Sequence, residues 1–147
     1  MRLPADATLI VAGHPSEGAA GRVAALLAAW RAEALPVVHV ERDGTGEPVL
    51  RPFKAAALWR ELDGIGATAV VVCGAGPGVP AAAEAAAAFG CHVFVAADAC
   101  AAGDLAPIAA AEASSQGDRA RLVQTEAVLA AASVAKVRQR REAARRG

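Results

Sequence analysis

The chain has 147 residues, room for one domain with a sizeable core, and is 55% hydrophobic but only 3% aromatic. Its 15 basic and 15 acidic residues leave no formal net charge, and no apolar run approaches the ~20 residues of a membrane span. "MRLPADATLIVAG" is too short and too early in acid for a secretory signal, so the chain reads as soluble and cytoplasmic.

The elements alternate simply along the chain. "TLIVAG" is a buried strand, and "GRVAALLAAWRAEA" a helix with Val23, Leu26, Leu27 and Trp30 on one face. "LPVVHVE" is the second strand, "RDGTGEP" a turn-rich loop, and "FKAAALWRELDG" a short helix closing at Gly64. "ATAVVVCG" is the third strand, followed by a Gly-rich turn and the helix that ends at Gly90. "CHVFVAAD" is the fourth strand, "LAPIAAAEASSQ" a helix, "ARLVQ" a short strand, and "TEAVLAAASVAKVRQRREAARR" the closing helix.

Strand then helix, repeated, implies right-handed crossovers and a mainly parallel sheet covered on both faces. The expected architecture is one three-layer α/β/α Rossmann-like domain over residues 1–133, with 134–147 as its basic helical tail. That tail holds six basic residues and one acid, Glu142, for +5, so the remainder carries −5. A basic tail can touch nucleic acid, but no aromatic or docking motif accompanies it, and a solvated helix or an arm on a neighbouring subunit is the plainer expectation. Cys73, Cys91 and Cys100 make no disulfide framework or CxxC motif, and His14, His39 and His92 share no ligand spacing, so no metal site is expected.

Ligands in such a fold bind where the strands end, in the loops that begin at Gly13, Glu41, Gly74 and Asp98. The turn Gly74-Ala75-Gly76-Pro77-Gly78-Val79 follows a strand and opens a helix. In that it resembles the FAD- or NAD-binding unit of flavoproteins, with Asp98 as a ribose partner. Val79 replaces the third glycine of that pattern, and the unit lies mid-chain.

A second resemblance covers roughly residues 7–131. "LPVVHVERD" after "AAWRAEA", then "ELDGIGATAVVVCGAG", "FGCHVFVAADACAA" and "ARLVQTEAVLA" are similar, in this order, to segments of the isochorismatase-like cysteine hydrolases. The resemblance implies that fold, self-association, and hydrolysis of amide, ester-like or vinyl-ether bonds in small molecules. It implies a triad of Asp ending the first strand, Lys after the loop of the second, and Cys opening the helix behind the glycine turn. A thiolate would attack, the Asp would take a proton, and helix N–H groups would hold the oxyanion.

At those positions this chain has Gly13, Arg51 (or Lys54 if the gap is placed differently) and Pro80. Arginine keeps a charge but exchanges no proton near neutrality, and proline carries no nucleophile. The expectation is therefore a family fold that has lost its catalytic Asp and Cys, inactive or turned to small-molecule binding or scaffolding. The alternatives are an active hydrolase with a non-standard site, and a dinucleotide binder using the glycine turn.

Candidate pocket residues are His14, Arg51, Lys54, Gly76, Pro77, Gly78, Val79 and Cys100. His14 would be a base at the mouth or a loop cap, and Arg51 and Lys54 would hold a small anion or make surface ion pairs. The three cysteines read as small buried hydrophobes. Gly76-Pro77 is expected to be cis, which an X–Pro bond makes inexpensive. No cofactor is expected; the expected partners are a small anionic ligand and a second copy of the chain.

Overall fold

The computed structural model describes residues 7–44, 46–113 and 120–131. The expected basic tail, including Lys136 to Arg146, lies outside the described residues. Six strands form one sheet: β1 (Thr8–Ala12), β2 (Val37–Val40), β3 (Val49–Leu50), β4 (Ala69–Gly74), β5 (His92–Cys100) and β6 (Ala120–Val123). The order is β3-β2-β1-β4-β5-β6, and every neighbouring pair is parallel. Helices α1 (Glu17–Ala32), α2 (Ala55–Ile65), α3 (Gly78–Phe89) and α4 (Ala106–Ala113) connect them, a 3-10 turn (Ala102–Leu105) precedes α4, and residues 125–131 are helical (α5).

Alternation within each strand divides the core. Ile10, Val38, Val70, Val72, Val93 and Val95 face α2, α3 and α4, where they meet Leu58, Leu62, Val79 and Ile108. Leu9, Val11, Val37, Val71 and Phe94 face the other way, against Val23, Leu26, Leu27 and Trp30 of α1 and Val128 of α5. This is why the strands read as unbroken apolar runs: both faces are buried, so no polar alternation survives. Trp30 fills the α1 layer, and its indole N–H, which burial obliges to find a partner, donates to the Ala7 carbonyl at 2.7 Å. The α3 layer relies on alanine, and its first residue, Gly78, lets the helix sit over β1: a side chain there would press Ala12 Cβ and Val40 Cγ1 at 3.3 Å.

Three local expectations are corrected. Residues 49 and 50 form a strand inside what reads as loop and helix approach, because a two-residue edge strand leaves no periodicity to see. Helix α2 runs through Gly64 to Ile65 and closes at Gly66. The cis peptide is Arg51-Pro52, not Gly76-Pro77. Gly76 takes the reversal itself at φ +88°, so Pro77 enters α3 as its N-cap at φ −65° over a trans bond.

Helix α1 also carries a removable weakness. Gly21 lies inside it, exposed, with nothing within 4 Å of where a Cβ would stand. Gly21→Ala should stabilise the protein by about 0.5–1 kcal/mol, seen as a higher urea midpoint with an unchanged slope.

Candidate functional site

In a parallel sheet the chain leaves every strand at the same edge, and a crevice opens where successive connections depart to opposite faces. Here that point lies between β1 and β4, since β1 leads into α1 and β4 into α3. The two strand ends are held unusually close. Ala75 N–H donates to the Ala12 carbonyl at 2.9 Å and Gly13 N–H to the Val40 carbonyl at 2.8 Å. Gly13 has φ +57°, and a Cβ on it would collide with the Ala75 carbonyl oxygen.

A cavity of about 500 Å³ opens above this junction. The loop after β1 supplies Gly13 and His14, the loop after β2 supplies Glu41, and Phe53 comes from the approach to α2. The turn after β4 supplies Ala75, Gly76 and Pro77, and α3 adds Gly78 and Ala81. Among the described residues its side-chain chemistry is thus one imidazole and one carboxylate over apolar walls. Glu41 holds a left-handed backbone (φ +54°), uncommon for a side chain of its length. Its Oε1 accepts the Phe53 N–H, and its own N–H donates to the Leu50 carbonyl at 3.0 Å.

The β2–β3 loop that carries Glu41 is fastened below by an ion cluster that runs from the buried His39 to the half-exposed Arg31. Glu47 receives the Arg31 guanidinium on both oxygens, at 2.7 and 3.3 Å, and lies 2.8 Å from His39 Nε2. His39 is 1% exposed. The Arg31 hydrogen bonds, helped by His39 and opposed by burial, hold the Glu47 carboxyl down at about 2.

Of the residues singled out from sequence, Gly13, His14, Gly76, Pro77 and Gly78 meet in this cavity. The others stand elsewhere. Arg51 is exposed and turned to Asp43 at 3.4 Å. Lys54 is the exposed N-cap of α2. Val79 is fully buried in the core below, and Pro80 is half-buried in the first turn of α3. Cys100 ends β5 beside Gly74, where burial pushes its thiol up to about 12. Burial likewise raises Cys73 and Cys91, so none of the three is poised as a thiolate. Glu41 was visible only as the start of a strand-end loop and Phe53 not at all, because a hydrogen bond across twelve positions brings them together.

The glycine turn offers little to a phosphate. Ala75 N–H is spent on Ala12, Gly76 N–H on the Asp104 carboxylate at 2.8 Å, and Val79 N–H on the Gly76 carbonyl at 3.2 Å. Pro77 and Pro80 have no N–H, so Gly78 is left as the donor without a partner among the described residues. A pyrophosphate cradle needs several such amides converging. Asp98, the acid a ribose would use, instead accepts both Thr125 N–H and Oγ1 at 2.7 Å and meets Arg22 Nε at 3.1 Å, tying α5 to α1. Burial would raise its carboxyl, but these bonds and the Arg22 charge outweigh that and lower it. Among the described residues no cluster of three or more His, Cys, Asp or Glu could hold a metal ion, and no helix is long and apolar enough to cross a membrane.

No family model and no curated protein matches the sequence. Solved structures do match in shape. An isochorismatase family protein from Burkholderia thailandensis superposes with TM-score 0.67 at 17% identity, over 90% of this chain and 98% of that one. N-carbamoylsarcosine amidase from Thermoplasma acidophilum gives 0.63 at 17% identity, over 82% and 96%. At that identity the likeness is one of architecture, and it extends over nearly the whole of both neighbours. The six-stranded parallel sheet, its helices and the β1–β4 crevice together make this chain an isochorismatase-like α/β fold.

Proposed function

We propose that this protein is a small-molecule-binding member of the isochorismatase-like fold that has given up its hydrolytic triad. The observation that carries the reading is the closed backbone at Gly13. A catalytic carboxylate at the end of β1 would need a Cβ where the Ala75 carbonyl already stands. The neighbouring positions agree. Pro80 puts no nucleophile on α3, Arg51 is engaged with Asp43, and every thiol in the chain has its ionisation suppressed by burial. What survives is the concave site itself, at the place where this architecture binds ligands.

A cytoplasmic, self-associating protein remains part of this reading. Three free thiols suit a reducing compartment, and Trp59 and Phe89 stand 39% and 37% exposed on α2 and α3, as a partner surface would have them.

The test is ammonia release from N-carbamoylsarcosine and from simple primary amides. No release above buffer is expected at enzyme concentrations up to tens of micromolar. Turnover abolished by His14→Asn would replace this reading with that of a hydrolase with a non-standard site.

A further inference from the structure

If the cavity binds a small molecule, as proposed above, its charge chooses the ligand. We propose that it takes a small organic cation (an amine, amidine or guanidine on an apolar body) with Glu41 as the charge partner.

The charged groups around the cavity have been sorted by the fold. Among the described residues, Glu41 is the carboxylate in its lining, and no Lys or Arg side chain joins it there. The described cations nearby stand outside the lining. Arg51 goes to Asp43, Lys54 occupies the exposed N-cap position of α2 outside the lining, and Arg42 has its Nε and Nη1 buried, likewise outside the lining.

The start of α3 would ordinarily favour an anion through its free N–H groups and dipole. Here it has been neutralised from behind: Asp104 occupies Gly76 N–H with a full negative charge, and two prolines delete donors. The charged side chain left in the described lining is that of Glu41.

Glu41 is also pre-set for the task. Its Oε1 is fixed by the Phe53 N–H, which leaves Oε2 to receive a ligand donor, and the left-handed backbone at this residue aims the side chain into the cleft instead of continuing β2. Beside it, Phe53, Ala75, Pro77 and Ala81 offer an apolar wall. A flat apolar body would lie against that wall, with its cationic head at Glu41.

Three probes of nearly one shape separate charge from fit: benzamidinium, benzamide and benzoate. Calorimetric titration at low salt should show benzamidinium binding about tenfold or more tightly than benzoate, with benzamide between them. Its advantage should shrink as salt is raised to 0.5 M. Glu41→Gln keeps an acceptor for Phe53 N–H while removing the charge. It should bring benzamidinium to within about twofold of benzamide. Benzoate binding as tightly as benzamidinium, or a ranking and salt dependence that Glu41→Gln does not alter, would overturn the inference while leaving a ligand site in place. Binding of none of the three would overturn it together with the reading on which it rests.

Discussion

Gly74→Ala is expected to cost about 4 kcal/mol or more and to lower the melting temperature by about 10 °C. Gly74 ends β4 with φ +118°, a backbone that L-residues rarely enter. The steric problem is larger than the conformational one. A Cβ there would fall on the Ala12 carbonyl oxygen and stand 2.8 Å from Ala12 C and N. These are backbone atoms in the register of two central strands, so no side-chain rotation relieves the contact. The β1–β4 pair must part at the very point where the cavity opens, and ligand binding should fail with stability. Gly76→Ala is the control that separates the two causes. Gly76 also has a positive φ (+88°), but nothing lies within 4 Å of its would-be Cβ. It should therefore lose only the strain term, about 1–2 kcal/mol. Equal losses for the two variants, measured by urea unfolding, would show that the Ala12 contact is not what makes glycine necessary at position 74.

The contrast between these two glycines also marks where sequence reasoning succeeds. A parallel sheet buries both faces of its strands, so Val70 to Val72 and Val93 to Val95 announce themselves as apolar runs, and the alternation with helices then gives the layers. That the chain turns sharply after β4 was legible in its glycines. How it turns was not. The choice between a cis Gly76-Pro77 bond and a positive φ at Gly76 depends on how α3 packs over Ala12 and Val40, which only the assembled sheet determines.

The chemistry of the site was less legible still. Arg51 reads as a residue that could hold a small anion, yet Asp43, eight residues earlier, draws it outward. Asp98 sits at a strand end as a ribose partner should, but the start of α5 claims it through Thr125. Glu41 was legible only as the start of a strand-end loop, since an acid after a strand is ordinary until its backbone and its bond to Phe53 are known. In each case the deciding contact joins segments that local pattern treats separately.

The same dependence on distant partners makes the β2–β3 loop sensitive to acid. Glu47 titrates at about 2 in the folded protein against an ordinary 4.5. A depressed carboxyl contributes its stability in full above about pH 4.5, and that contribution is lost as pH falls toward 2, because the unfolded chain takes up the proton first. The full shift corresponds to about 3 kcal/mol. Arg31, the main partner, is half exposed, so solvent screening reduces this to about 1–2 kcal/mol.

Glu47→Gln should therefore be less stable than the wild type by about that amount at pH 7, and the gap should close as both are taken from pH 5 to pH 3. Asp98 also has a lowered carboxyl, but it is present in both proteins and cancels from the difference. Denaturant unfolding at each pH measures the gap, and one that stays constant down to pH 3 would refute the ion cluster as its source. The consequence reaches the site. Glu47 ties loop 41–48 to α1 through Arg31 and to β2 through His39, and Glu41 begins that loop. Loosening the clamp should speed hydrogen exchange at the Glu41 amide, which donates to Leu50, before it touches the amides of β1 and β4. The residue proposed to select the ligand thus depends for its position on a carboxylate that the ligand never meets.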